Sequence, residues 1–382
     1  MTMRARSLGM LALLTLCGSA VARAQNSVYG IAGIGFPGEP LSERARAMGG
    51  GLGAFDLTSA VNPAAVGDLG KLVAAFSGGT TFRHYTATGD SAIGGLRETR
   101  FPYGMFGGPI PGTRVSFALS FSTYAERTYD VTATGTQVLR GDTLKVTDRL
   151  GSDGAITDLR GALAFRPWSR VLVGAAVHML GGSSRLDVRR VFSDSSYLPY
   201  VEQQHLVFSG YGVSGGVVLR PTRAIELAGT ARLDGRLTSR IGGDSVGTAQ
   251  LPVSLTGGLR LTPVQGLSWA TTATHRSWSR AQADLGPSTQ AFDTWEVASG
   301  LELTGRGTRG TGIPVRLGVR YRQLPFSNVG TQPTETVLAG GSGIVLASGR
   351  AALDFAVERF RRSGGGAEEQ GWHFSAGVTV IP

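Results

Sequence analysis

The sequence is short of the features that hold most exported or membrane proteins together. Among its 382 residues there is one cysteine, Cys17, so no disulfide can form within the chain. No stretch beyond the first twenty-odd residues approaches the ~18 uninterrupted apolar residues of a spanning helix, so any membrane crossing must be made by strands. The five histidines, His84, His178, His205, His275 and His373, fall in different segments without the H-E-x-x-H spacing of a zinc site. No metal, cofactor or enzymatic activity is therefore expected, although a Ser, His and acid brought together by folding would escape a reading of spacing alone.

Glycine, by contrast, is abundant at 58 residues, without a collagen period or a low-complexity block to absorb it. The net charge is +10, and the loss of Arg4, Arg6 and Arg23 with an N-terminal leader would lower it by three, to +7. Its arginines are spread through the chain and gathered into no patch, so nucleic acid is not an expected partner. The leader reads as a signal peptide over residues 1–24: Arg4 and Arg6 are basic, Leu8 to Leu16 apolar, and Ala22-Arg23-Ala24 gives a small-residue cleavage site before Gln25.

From about Gly70 the chain becomes a series of fourteen strand candidates with a two-residue period. Ile225, Leu227, Gly229, Ala231 and Leu233 face one way and Glu226, Ala228, Thr230, Arg232 and Asp234 the other. Ile313, Val315, Leu317, Val319 and Tyr321 likewise oppose Arg316, Gly318, Arg320 and Arg322. A soluble sandwich also alternates, but here the connections alternate too. Short turns at Pro109 to Thr113, Arg166 to Arg170, Arg220 to Arg223, Thr262 to Gly266, Gly305 to Gly312 and Ala347 to Arg350 are interleaved with longer polar gaps. Those gaps are Glu126 to Gly154, Gly182 to Gln204, Gly235 to Ala249, Arg280 to Gln290, Pro325 to Pro333 and Arg361 to Gln370.

This pattern predicts an all-β fold, a transmembrane antiparallel β-barrel of 14 strands over residues 70–382, in a Gram-negative outer membrane. Charges on the second face, including Arg160, Glu226, Arg232, Arg260, Glu296, Arg316, Arg320, Asp354 and Glu358, must then point into the lumen. On the lipid face each would cost roughly 2–4 kcal/mol near the midplane. Their mixed signs predict ion pairs and a crowded interior. Trp269, Trp278, Trp295 and Trp372, near strand ends, fit an interfacial belt.

Residues 25–69 break the strand rhythm. Leu41 to Met48 can form a short helix capped by Ser42 and ended by Gly49-Gly50-Gly51. Asn62-Pro63-Ala64 follows, a turn-forming triplet suited to anchoring a plug. Gly33-Ile34-Gly35 lacks the preceding βαβ context of a dinucleotide loop.

The segment Arg44 to Gly50, with Met48, Gly49 and Gly50, followed by Asn62, Pro63 and Ala64, resembles the start of the FadL-like outer-membrane transporters of long-chain fatty acids and other hydrophobic compounds. The resemblance implies a hatch folded inside the barrel, passive diffusion of a hydrophobic small molecule, and release into outer-membrane lipid through an opening at a kinked strand. Ala65 stands where Gly commonly follows the triplet, and the chain ends Val380-Ile381-Pro382 without a terminal aromatic residue. PorV-like barrels resemble the same family and assist protein secretion, which leaves exported proteins as alternative partners; a structural surface barrel is a third reading. Leu186, Val191, Phe192, Tyr197, Leu198 and Tyr200 fall in the second long gap. They are read either as a lip that collects hydrophobic ligand or as packing within an extended hairpin.

Overall fold

A computed structural model describes residues 27–87, 93–139, 141–304 and 313–381. The leader and the turn expected at Gly305 to Gly312 lie outside these residues. Fourteen antiparallel strands close on themselves: β1 (Val73–Ala87), β2 (Ile93–Pro109), β3 (Val115–Glu126), β4 (Asp142–Trp168), β5 (Val171–Phe192), β6 (Tyr200–Leu219) and β7 (Ile225–Asp234). The second half comprises β8 (Val253–Val264), β9 (Leu267–Arg276), β10 (Thr294–Thr304), β11 (Pro314–Gln323), β12 (Thr334–Leu346), β13 (Ala351–Gly364) and β14 (Ala367–Val380). Strand β14 pairs with β1, from Ala74 opposite Val380 to Ala87 opposite Ala367, so the sheet closes on itself.

The outer face follows from the alternation. Phe76, Leu119, Leu163, Val177, Leu255, Leu317, Leu338 and Phe374 are all exposed and project outward as an apolar band of the kind that faces lipid in transmembrane barrels. The charged residues alternating with them are turned inward: Arg160, Arg316, Arg320 and Glu358 are buried. Trp269, Trp295 and Trp372 sit on the outer face, whereas Trp278 is buried in a 3-10 helix (Trp278–Asp284) inside the barrel mouth. The belt assignment therefore fails for Trp278, because the chain leaves the wall at Arg276 and folds over the lumen.

Most of the long gaps are not loops. Strands β4 to β6 run on past the outer band, and the added hairpin strands Tyr129–Leu139, Arg236–Ile241 and Asp244–Gln250 extend them. Between β13 and β14 the turn is only Gly365-Gly366, both at positive φ. Polar residues occupy both faces of these extensions because both faces meet water, which hides the strand period from a hydrophobicity pattern.

One part of the wall is incomplete. Strands β2 and β3 pair only from Tyr103 opposite Ser122 to Pro109 opposite Ser116. Beyond Tyr103, β2 continues along β1 alone, with a register shift that skips Phe101 and Pro102. Proline has no N–H to offer a partner strand, so the ladder to β3 ends where it enters. The freed edge of β3 is taken up from inside, where Phe36 pairs with Glu126 and Pro37 with Ala125.

Candidate functional site

The N-terminal segment runs down the inside of the barrel, from the hairpin end to the short-turn end. At the top, Ser27 donates to Glu369 at 2.5 Å and the Tyr29 hydroxyl to the Ala367 carbonyl at 2.5 Å. Below comes helix α1 (Glu43–Ala47), which Ser42 caps by accepting from the Ala45 amide at 3.2 Å. Five residues make barely one turn, so the helix stands on its contacts rather than on its own propensity. Asn62 caps a 3-10 helix (Pro63–Asp68), accepting from the Ala64 amide at 2.9 Å and donating to the carbonyls of Ala54 and Val217 at 3.0 and 3.3 Å. At the bottom Asp68 pairs with Arg166 at 2.7 Å and with Arg220, and Arg220 reaches Glu226 at 2.9 Å.

Small residues on the inner face make room for this segment. Met48 and Gly49 lie on the backbones of β10 and β11 at Gly300 and Gly318, and Asn62 fills the space above Gly216. Leu41, Ala45, Met48, Leu52, Phe55 and Ala64 bury their side chains against Leu172, Val218 and Ala270 of the wall. The same segment is tied by charge. Arg44 grips Glu302 with two N–H groups at 2.8 and 2.5 Å, and Glu302 accepts from Arg316 at 2.7 Å, which also holds Asp354 at 2.6 Å. Arg46 bridges Glu39 at 2.8 Å and Glu358 at 2.9 Å, and Glu39 also meets Arg320 and Arg322 at 2.8 and 3.0 Å. Breaking one partner out of such a buried pair costs about 3–5 kcal/mol.

The Glu39 carboxyl shows what this cluster does. Burial alone would raise its pKa; Arg320, Arg322 and Arg46 outweigh burial and hold it well below the ordinary 4.5. A depressed carboxylate stabilises the docked segment above the ordinary range, and that stability is lost as pH falls below it toward the lowered value. Glu43 has the opposite sign, raised by burial with only partial offset from Arg46. The protection of amides over residues 36–48, taken relative to the intrinsic exchange rate at each pH, is thus expected to be high at neutral pH and to fall, giving relatively quick exchange, on acidification below 4.5. Glu39→Gln should show the quick exchange already at neutral pH; a variant with wild-type exchange there would contradict this role.

Two cavities flank the short inner strand Phe36–Pro37. One, of about 110 Å³, lies at the incomplete wall and is lined by Thr81 of β1, Glu98, Arg100 and Pro102 of β2, and Thr123 of β3. The other, of about 130 Å³, lies between the N-terminal segment and strands β3 to β10. Pro37, Gly38, Glu39 and Thr123 line both, so this stretch is the partition between them.

No family model and no curated protein matches the sequence. Solved structures do match. A FadL homologue of Pseudomonas aeruginosa superposes with a TM-score of 0.61 at 15% identity, covering 90% of this chain and 99% of that one. The Ralstonia pickettii toluene transporter TbuX gives 0.60 at 17%, covering 90% and 98%. The monoaromatic hydrocarbon channel CymD gives 0.59 at 13%, covering 91% and 98%. The chain has the FadL-like fold.

Within this FadL-like barrel the expected lumen charges are brought together as pairs. Arg232 holds Asp158 at 2.7 Å and Asp234 at 2.8 Å, Arg276 holds Glu296 at 2.9 Å, and Arg260 reaches Glu226 at 3.4 Å. Arg160 is the exception: its Nε and one Nη have no acceptor among the described residues. The apolar residues of the second long gap belong to the β5–β6 hairpin. Leu186, Val191 and Phe192 lie on β5 and Tyr200 on β6, with Tyr197 against Phe192 at 5.6 Å and Leu198 87% exposed.

A Ser, His and acid do converge. His178 Nδ1 lies 2.9 Å from Asp158 and Nε2 2.9 Å from Ser214 Oγ. Asp158 also accepts from Arg232, which offsets the charge that would make the imidazole a strong base. Ser214 pairs with Ala176 on one side and Arg232 on the other, so the local main chain is committed to the sheet and leaves no pair of amides for an oxyanion. The array therefore reads as a wall network that positions Arg232. Sequence spacing could not reveal it, because its members sit on three strands.

Proposed function

We propose that this barrel is a passive outer-membrane channel for hydrophobic small molecules, gated by the N-terminal hatch and releasing its ligand sideways between β2 and β3. The observation that carries this reading is the interrupted β2–β3 ladder, bridged from inside by Phe36–Pro37, with a cavity on each side of the bridge. A ligand moving down the axis would meet the Asp68–Arg166–Arg220 cluster at the short-turn end. One moving sideways would enter lipid, which gains about 0.8 kcal/mol for each methylene buried. Physical chemistry favours the second route. Two of the structures that share the fold are named as a toluene transporter and a monoaromatic hydrocarbon channel, which supports the same class of cargo.

The test is uptake by cells that express the chain or carry an empty vector, using labelled toluene and a labelled long-chain fatty acid. Faster entry of at least one is expected. Equal entry of both in the two strains, with the barrel folded in the outer membrane, would overturn the channel reading; loss of exported proteins on deletion, without change in uptake, would move it to secretion.

A further inference from the structure

The cavity between the hatch and the wall has two unlike sides. Pro37, Pro40, Leu41, Ala54, Ala60 and Val61 of the hatch make an apolar side. Facing them are hydroxyls and charges from β3 to β10, nearly all of them engaged with one another. Tyr124 donates to Asp234, Thr256 pairs with Thr274 at 2.9 Å, and Arg276 with Glu296. Two groups on β7 stand apart. The Nη2 of Arg232 and the Oγ1 of Thr230 are buried and have no hydrogen-bond partner among the described residues, although the other nitrogens of Arg232 are held by Asp158 and Asp234. Thr230 and Arg232 are two residues apart on one strand, so both project to the same face, and both line the cavity. A donor left unpaired in a buried site costs about 1–3 kcal/mol until an acceptor reaches it.

Charge decides which acceptor fits. Glu39 is matched by Arg46, Arg320 and Arg322 behind it, which leaves three carboxylates on the cavity wall, Asp158, Asp234 and Glu296, against the two guanidinium groups of Arg232 and Arg276. An anionic head would enter a site already in negative excess, whereas a neutral oxygen can take the free N–H without adding charge. Size narrows it further. A cavity of about 130 Å³ is of the order of the ~150 Å³ apolar cavity that admits benzene, which suits one ring.

From this geometry we infer that the cavity is a binding station for neutral, single-ring apolar compounds that carry one oxygen acceptor, such as a phenol or an aryl ketone, with Arg232 Nη2 and Thr230 Oγ1 as the groups that read the oxygen. The inference rests on the channel reading and adds a preference to it. Hydrocarbons fit the apolar side but leave the two donors unpaired. Aryl carboxylates satisfy the donors but meet the carboxylate excess.

The test uses the full chain purified in detergent and fluorine NMR titration with three matched ligands: 4-fluorophenol, fluorobenzene and 4-fluorobenzoate, each corrected against protein-free micelles. The phenol should bind more tightly than either of the others. Thr230→Val should weaken the phenol about three- to tenfold, the worth of one hydrogen bond, and leave fluorobenzene unchanged, while Thr230→Ser restores the phenol. The wild-type ranking needs no variant, so it stands even where Thr230→Val fails to fold. Equal binding of phenol and fluorobenzene, or tightest binding of the benzoate, would overturn the assignment while leaving the toluene uptake result, and with it the channel reading, intact. Binding of none of the three would overturn the station itself; absence of both toluene and fatty-acid uptake as well would remove both.

Discussion

Replacing Gly318 by valine should turn a plugged barrel into a conducting one. A Cβ at Gly318 would lie 2.1 Å from the Met48 carbonyl carbon and 2.3 Å from the Gly49 nitrogen. Gly300 makes the same approach from the neighbouring strand, with a Cβ 2.3 Å from the Met48 oxygen. These are backbone atoms, so no side chain can swing aside, and Gly49 is itself held at φ 63. The barrel wall is fixed by hydrogen bonds on both sides of Gly318, whereas α1 is a single turn. The hatch should give way first.

Displacing it would also pull Arg46 from Glu39 and Glu358, so the unseating should spread through the charge cluster. In planar bilayers the wild-type chain is expected to show no resolvable current steps and Gly318→Val discrete ones; cells carrying the variant should admit hydrophilic antibiotics. Gly257→Val is the matched control, since a Cβ there meets nothing within 4 Å. A heat-modifiable, folded Gly318→Val barrel that stays silent would show that this contact does not seat the hatch.

Much of the fold can be read without coordinates. The inward charges from Glu226 to Glu358 follow from alternation because the lipid face cannot hold them, and Ser42 as a helix cap follows from residue type. What escaped has local physical causes. The extensions of β4, β5 and β6 are wet on both faces and so lose the two-residue apolar signal.

The register shift at Phe101 and Pro102 reverses which side chains of β2 face the lumen, putting Tyr103 and Met105 inside below it and Glu98 inside above it. Pro102 was a visible sign, since a proline within a strand pattern marks an edge or a bulge. The glycine excess held the other unread signal. Gly174, Gly216, Gly300 and Gly318 are inner-face positions pressed by atoms of the N-terminal segment, so the small residues of the strands trace its footprint. Arg160 remains apart, buried with two nitrogens unpaired among the described residues, which alternation along one strand does not reveal.

The central claim is that ligand crosses the partition made by Phe36–Glu39 and Thr123 and leaves between β2 and β3. Thr123 lines both cavities, so a bulky group there should stop traffic between them. With Cys17, the one native cysteine, replaced by serine, Thr123→Cys provides a single thiol. The decisive measurement is toluene uptake by cells expressing this variant before and after reaction with a bulky methanethiosulfonate. Uptake should fall to the empty-vector level on labelling and return on reduction. Full labelling of a folded barrel with uptake unchanged would contradict the lateral route.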